Sequence, residues 1–185
     1  MSKEIKSFVS RKIAMLDKDE SYSRAACAKL RRAIGKPPGE TPDVWDITLD
    51  GAPEDEKSGK AIHTCLALYA LHRQGKEESV CDDETGFGTA VSTLIQINPE
   101  SEAGVRRRFN AVATSVDFEE LAHHARGLIQ LLKAKGIKMD YPGFASELYD
   151  FQFLKRKNSI RLKWGKQFYR VSKSENKEDE RTDEK

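Results

Sequence analysis

Residues 105–151 read VRRRFNAVATSVDFEELAHHARGLIQLLKAKGIKMDYPGFASELYDF and carry the most regular pattern in the chain. After a break at residues 114–115, apolar residues recur at steps of three and four, which is the spacing of one helix face. They are Phe118, Leu121, Ala122, Ala125, Leu128, Ile129 and Leu132. Before the break, a shorter helical pattern contains three consecutive arginines: Arg106, Arg107 and Arg108. The stretch therefore predicts successive helices, the first of which presents positive charge.

The rest of the chain predicts an all-α fold. Helical spacing recurs between proline- or glycine-containing breaks, at residues 3–17, 21–34, 59–74, 89–97 and 159–170. No stretch alternates with period two, and no Asn-Gly or Asp-Gly turn joins two β-rich runs. We expect a two-lobed bundle of eight or nine short helices. The N-terminal lobe would span residues 1–98 and the C-terminal lobe residues 99–170.

Charge is distributed unevenly along the chain. The formal net charge is +2, yet residues 171–185 hold four Lys/Arg and six Asp/Glu, a net of −2. That segment has hardly any apolar residue, which predicts a disordered acidic tail. Residues 1–170 consequently carry 28 basic and 24 acidic residues, a net of +4. A body this mildly basic favours nucleic-acid binding only where its basic residues cluster.

Cysteine usage and hydropathy indicate the compartment. The three cysteines are widely spaced and include no C-x-x-C, so the pattern favours reduced thiols over a disulfide framework or a zinc ribbon. The N-terminal region lacks the apolar segment of a signal peptide, and no apolar run approaches the ~18 residues of a membrane span. We therefore expect a soluble cytoplasmic protein with no membrane partner.

Patterns that support catalysis are incomplete. His123 and His124 are adjacent, so on a helix they diverge and cannot share a metal as an i, i+4 pair can. Asp82, Asp83 and Glu84 form an acidic cluster, but it lies in a predicted loop without a partnered His or Lys. The sequence thus predicts no catalytic residue, metal site or cofactor. A metal-dependent nuclease that uses this acidic cluster is the weakest of three functional hypotheses, and the other two are non-catalytic.

Basic residues cluster on several predicted helices. The clusters are Arg24/Lys29/Arg31/Arg32, Arg106/Arg107/Arg108, Arg126/Lys133/Lys135 and Arg161/Lys163/Lys166/Arg170. Such residues on rigid helices neutralise phosphates and release counterions, which gives salt-sensitive binding without sequence preference. They could equally be solvated or paired with acidic residues. The aromatic residues that could stack on bases are predicted to lie in the core instead: Trp45, Phe109, Trp164 and Tyr169.

Two blocks of the sequence resemble a known family. RRRFNAVATSVDFEELAHHARGLIQLLKAKGIKMDYPGFASELYDFQF, followed by IRLKWGKQFYR, closely resembles the small subunit (the CasB family) of the type I-E Cascade CRISPR surveillance complex. SRAACAKLRRAIGKPPGETPDVWDITL resembles the same family's arginine-rich helix, proline turn and tryptophan helix. The similarity extends over residues 21–170. The loops at residues 50–58 and 76–88 and the tail carry no family signal.

The resemblance implies an all-α, non-catalytic subunit of a crRNA-containing complex. In that family two copies contact the backbone and large subunits, help to hold the target strand, and bind the displaced strand so that the R-loop is stabilised. The motifs that match imply nucleic-acid contacts at Arg24, Arg31, Arg107, Arg108, Arg126, Arg161 and Lys163. The alternative is a purely structural helical adaptor, whose basic residues make contacts to other subunits.

Overall fold

Helices account for nearly all the regular structure. The computed structural model describes residues 1–18 and 20–179, and of residues 171–179 the backbone alone. Within these ranges the α-helices are α1 (Ser2–Leu16), α2 (Ser21–Arg32), α3 (Trp45–Thr48), α4 (Glu56–Arg73), α5 (Phe87–Ile97), α6 (Glu102–Thr114), α7 (Phe118–Lys135), α8 (Tyr141–Phe151) and α9 (Leu154–Asp179). One-turn 3₁₀ helices occupy Pro38–Glu40, Pro42–Val44 and Pro99–Ser101. The described part contains no β-strand, so the predicted all-α fold is confirmed.

The boundaries of α7 follow from its terminal residues. Asp117 is the N-cap, and its carboxylate accepts a hydrogen bond from the Glu120 amide at 2.8 Å. This bond satisfies one of the amides that the first helical turn leaves unpaired. At the other end Gly136 adopts φ +67°, and the Ile137 amide donates to the Leu132 carbonyl at 3.1 Å. Glycine adopts this left-handed conformation without steric cost, which is why the helix ends there.

An aromatic cluster organises the core where α5, α8 and α9 meet. Trp164 of α9 is fully buried, and its ring packs against those of Phe87, Phe144 and Phe151. Its indole N–H donates to Glu147 Oε2 at 2.7 Å. Because a buried indole N–H needs an acceptor, this bond explains why a carboxylate lies only 6% exposed in an apolar core.

Close backbone packing joins α5 to α9. A Cβ added to Gly88 would clash with the Trp164 carbonyl oxygen and lie 2.8 Å from Gln167 Cβ. The Gly88 amide also donates to Gln167 Oε1 at 3.1 Å. The absence of a side chain at this position therefore lets the two helices approach, which brings Phe87 onto the Trp164 ring.

Helices from both halves of the sequence share one core. Helix α1 packs on α8, α4 packs on α7 and α8, and α5 packs on α9. The buried residues from Ile5 to Phe168 belong to a single hydrophobic cluster. These contacts cross the predicted boundary between residues 98 and 99. The division into two lobes stays a prediction.

The structure corrects two predictions from the sequence. Trp45 and Tyr169 were predicted to lie in the core, but they are 42% and 47% exposed. Trp45 is exposed because α3 has only four residues, and its indole N–H donates to the Pro38 carbonyl at 2.8 Å. The backbone of α9 continues to Asp179, into the segment predicted to be a disordered tail, and the tail stays a prediction. Residues 171–179 contain no glycine or proline that would end a helix. The remainder of the predicted tail, residues 180–185, lies outside the described residues.

Candidate nucleic-acid interface

The arginine run of α6 divides into one anchored side chain and two outward ones. Arg106 Nε donates to Glu102 Oε1 at 2.6 Å. Its guanidinium also lies 5.6 Å and 5.2 Å from the ring centroids of Phe168 and Tyr169. Cations are attracted to aromatic ring faces, so these contacts hold α6 against α9. Arg106 thus has a structural role, and the exposed ring of Tyr169 is part of that contact.

Arg107 and Arg108 both point into solvent. Within the described residues, no hydrogen bond or ion pair involves the Arg107 guanidinium. Arg108 Nη1 makes one long bond, of 3.3 Å, to the Gly104 carbonyl of its own helix. The two charges are therefore adjacent, exposed and carried on a helix whose position is fixed. That is the arrangement that binding to a phosphate backbone requires.

Arg126 lies at the rim of a groove between α4, α7 and the loop that follows α2. This α4–α7 groove has a volume of about 450 Å³. Four further side chains with basic groups line it, namely Lys36, Lys60, His63 and His123, together with the carboxylate of Glu119. No pattern in the sequence indicates that these residues meet, because they come from three separate segments.

Arg24 and Arg31 line a different depression, formed by α2 and the C-terminal end of α4. This α2–α4 depression has a volume of about 470 Å³ and also includes Arg73, Lys76 and Glu77. Arg73 is held in place by Asp17, to whose Oδ1 its Nε donates at 2.9 Å. The seven-residue spacing of Arg24 and Arg31 correctly indicated that they share a helix face. Arg73 was missed, since it lies some forty residues further along the chain.

Arg161 and Lys163 make contacts inside the protein. Arg161 Nη2 donates to the Ser115 carbonyl at 2.6 Å, and its Nη1 donates to Asn158 Oδ1 at 3.3 Å. Lys163 Nζ lies 2.7 Å from Oε1 of the buried Glu147. The first residue ties α9 to the link between α6 and α7, and the second compensates a buried carboxylate. Both side chains therefore have a structural explanation.

The link between α6 and α7 is held by a second basic residue of α9. Lys157 Nζ donates to the Val116 carbonyl at 2.6 Å. Residues at the end of a helix leave carbonyl groups without intrahelical partners, and cationic side chains are suited to bind them. Lys157 was not among the basic residues predicted to form clusters, although its spacing of four from Arg161 places the two on one face of α9.

The acidic cluster at residues 82–84 lies in a turn that one of its own side chains stabilises. Asp82 Oδ1 accepts hydrogen bonds from the amides of Glu84 and Thr85, so it shapes a turn. Burial lowers the pKa of both His63 and His72 to about 4, which keeps them neutral near pH 7. Over residues 1–18 and 20–170, whose side chains the structure describes, no three His, Cys, Asp or Glu side chains are grouped to hold a metal ion. None of the helices in these ranges is long and apolar enough to span a membrane.

Comparison with known proteins gives concordant matches. A family model described as CRISPR-associated protein Cse2 matches residues 26–169. The structure of CasB from Thermobifida fusca is 28% identical, with a TM-score of 0.77, and the match covers 89% of this chain and 97% of that one. CasB from Thermus thermophilus is 19% identical, with a TM-score of 0.69 and coverages of 91% and 97%. A chain from a CRISPR RNA-guided surveillance complex is 15% identical, with a TM-score of 0.77 and coverages of 96% and 98%. No curated protein sequence matches the chain.

Proposed function

The chain belongs to the CRISPR-associated Cse2 family, and from that premise we propose that it is a non-catalytic subunit of a crRNA-guided type I-E Cascade complex. In this role it binds the displaced single strand of target DNA through exposed basic helix faces and thereby stabilises the R-loop. Its protein partners are the backbone and large subunits and a second copy of itself.

The observation that carries this proposal is the pair of exposed arginines on α6. Arg106 bonds Glu102 of its own helix and is held to α9 by the rings of Phe168 and Tyr169, whereas Arg107 and Arg108 face solvent. The anchored residue keeps the helix rigid, so little conformational freedom of the backbone is lost when its neighbours bind phosphate. Two arginines on such a helix supply charge without reading sequence.

The modest net charge of the chain agrees with this role. In RNA-guided complexes, base pairing with the guide reads the sequence, and the protein contributes contacts to the backbone of the strands. Residues 1–170 have a net charge of only +4, so the isolated chain should bind single strands weakly. Two copies held in an assembled complex act at a high effective concentration, which compensates for weak individual contacts.

The contacts within the protein refine the set of proposed DNA-binding residues. Arg107, Arg108 and Arg126 are exposed, and Arg24 is exposed at the rim of the α2–α4 depression beside the half-buried Arg31. The proposal retains these five as phosphate contacts. It assigns Arg161 and Lys163 to support of the fold, because their charged atoms are bonded to Ser115 and Glu147.

A structural adaptor is the second candidate, and the outer face of α9 favours it. Leu154, Leu162 and Tyr169 are 86%, 58% and 47% exposed, and their spacing places them on one side of the helix. Exposed apolar side chains on one helix face are typical of a protein contact. In this case the basic residues would form ion pairs with other subunits and would not bind DNA.

R-loop lifetime in a reconstituted complex separates the two candidates. Guide-loaded complexes are assembled without this subunit, with the wild-type subunit, or with the double variant Arg107→Glu/Arg108→Glu. A control variant, Lys3→Glu/Lys18→Glu, makes the same change in charge at exposed positions on and just beyond α1. Mass measurement establishes the composition of each complex. The decay of the R-loop, in which the displaced strand pairs again with the target strand, is followed in time.

We expect the Arg107→Glu/Arg108→Glu complex to assemble and to lose its R-loop as fast as the complex that lacks the subunit. The Lys3→Glu/Lys18→Glu complex should retain the wild-type lifetime. If the α6 variant assembles and keeps the wild-type lifetime, the two arginines do not hold DNA and the proposal for α6 is wrong. Failure of that variant to assemble would favour the adaptor.

A further inference from the structure

The α4–α7 groove combines an apolar floor with a basic rim. Its floor includes Ile34, Leu68 and Ala122 and the half-buried ring of Phe118. Its volume of about 450 Å³ lies within the range of sites that hold small organic ligands. An apolar surface of this kind removes a flat ring from water, while polar groups at the edge fix its orientation. The groove is therefore suited to a ligand that is both aromatic and charged.

Hydrogen bonds hold one wall of the groove in place. The buried His63 ring contributes Nε2 to a 3.0 Å hydrogen bond with Thr41 Oγ1, and the same hydroxyl donates to the Pro38 carbonyl at 3.0 Å. The Trp45 indole N–H donates to that carbonyl as well. These bonds connect α4 to the loop that contains Pro37 and Pro38. The wall is thus preformed, which limits the entropy lost when a ligand binds.

The charged groups at the rim favour an anion. Arg126 and Lys36 have no hydrogen-bond or ion-pair partner within the described part of the chain. Lys60 pairs at 3.1 Å with Glu56, whose carboxylate is 83% exposed, so that pair is readily exchanged for another anion. Glu119 contributes one opposing charge, and His63 is neutral because burial lowers its pKa to about 4. Lys36, Lys60, Arg126 and Glu119 together give the lining a net charge of +2.

Charge also distinguishes this groove from its neighbour. The adjacent groove shares Pro37, Pro38 and Lys60, but its other lining residues include the three consecutive carboxylates of residues 54–56, where the loop before α4 meets the start of that helix. An anionic strand is therefore attracted to one side of the Pro37–Pro38 turn and repelled on the other. The contrast indicates a defined site, not a general attraction of the surface for anions.

We propose that the α4–α7 groove takes one unstacked nucleotide of single-stranded DNA, with the base against Phe118 and Ala122 and its phosphates beside Lys36 and Arg126. This inference rests on the proposed function and adds a base-binding site to the phosphate contacts of α6. Stacking on an aromatic ring is tolerant of sequence, because every base has a π-face. The site would fix the register of the displaced strand without reading its sequence.

The test compares two strands of equal charge that differ only in their bases. The full chain is titrated in low salt with a fluorescently labelled thymidine oligonucleotide and with an abasic oligonucleotide of the same length. Ala122→Phe fills the floor of the groove and leaves its charges unchanged. Ala134→Phe makes the same substitution at an exposed position of the same helix, outside the groove, and serves as the control.

We expect the wild-type chain and Ala134→Phe to bind the thymidine strand about tenfold more tightly than the abasic strand. Ala122→Phe should bind both strands with the affinity that the wild type shows for the abasic one. Should Ala122→Phe fail to fold, as circular dichroism would reveal, Ala122→Met covers the same floor with a flexible side chain and should give the same result.

Two results would overturn the inference. In one, the wild-type chain shows no preference for the thymidine strand, either because it binds the two equally or because it binds neither. In the other, the variant with the filled floor keeps the wild-type preference. Equal binding of the two strands would leave the proposed function intact, because the R-loop experiment tests Arg107 and Arg108, which do not line the groove.

Discussion

The basic side chains of this protein differ in what their charged atoms contact. Arg107 and Arg126 face solvent without a bonded partner in the described residues, whereas Arg161 and Lys163 are bonded to groups of the fold. A guanidinium that already bonds groups of the fold has fewer N–H donors left for a phosphate, and those bonds fix its orientation. The chemical identity of a residue is therefore insufficient to assign it to a DNA contact, and its partners within the fold must be known.

Lys163 offers a test at this scale. Its ammonium lies 2.7 Å from Glu147, a carboxylate in the core, so Lys163→Met removes the partner of a buried charge. Since the lysine itself is 54% exposed, solvent screens part of the interaction, and we expect the free energy of unfolding to fall by about 1 kcal/mol. Urea denaturation measures this loss, and Lys166→Met, which alters an exposed residue of the same helix, is the control.

The same variant distinguishes the structural role of Lys163 from a DNA contact. A lysine that binds phosphate would, when removed, weaken binding of single strands and reduce its dependence on salt. We expect Lys163→Met to leave that salt dependence unchanged. A stable Lys163→Met chain with a weaker salt dependence would restore this residue to the set of DNA contacts.

At the scale of secondary-structure elements, α9 connects the parts of the bundle that carry charge. It packs on α5 and α8 through Trp164, and Phe168 stacks on Phe109 of α6 with ring centroids 4.2 Å apart. Arg161 and Lys157 bind the carbonyls of the link between α6 and α7. The position of the α6 arginines consequently depends on the packing of α9. Changes in that core should affect the candidate interface indirectly.

Gly88 tests the packing of α5 against α9. Gly88→Ala places a methyl group against the Trp164 carbonyl and Gln167, and overpacking of this kind costs about 1–3 kcal/mol of unfolding free energy. Gly127 of α7 is a matched control, because a Cβ there meets no atom within 4 Å. Alanine is a better helix former than glycine, so Gly127→Ala should raise stability by about 0.5–1 kcal/mol. Thermal or urea unfolding of both variants measures these changes. Equal stabilities of Gly88→Ala and Gly127→Ala would contradict the close approach of α5 and α9 at Gly88.

At the scale of the whole molecule, folding places positive and negative charges in separate regions, which the net charge of the chain does not reveal. A net charge of +2 describes a chain with exposed arginines on α6 and α7, an acidic loop beside Pro53, and an acidic C-terminal segment. Proximity in the fold, and not the total, sets the local potential that a strand of DNA meets. The α4–α7 groove and its acidic neighbour are the clearest case, since they share a wall.

Salt dependence tests the proposed interface as a whole. Binding of a single strand releases counterions, so the logarithm of the affinity falls linearly with the logarithm of salt concentration. Arg107→Gln/Arg108→Gln should reduce that slope by about 1.4, because each lost contact to a single strand contributes about 0.7. Titrations of the isolated chain at several salt concentrations measure it. An unchanged slope would mean that neither arginine contacts phosphate in the isolated chain.

The sequence by itself determined the helices and the family of this protein. The spacing of Leu121, Leu128 and Leu132 and the end at Gly136 depend on local geometry, so α7 could be placed from its own residues. Helix ends are also local, and most predicted ends lie within a few residues of those observed. The burial of Trp45 and Tyr169 could not be predicted in this way, because it depends on whether a neighbouring element covers the ring.

Only the tertiary structure decided which basic residues are available. Arg161 meets Ser115 across 46 positions in the sequence, and Lys36, Lys60 and Arg126 reach one groove from separate segments. No periodicity carries that information, because long-range contacts are set by how helices pack and not by the residues beside each arginine. The sequence thus supplied the charges, and packing determined which of them are bonded within the protein and which face solvent.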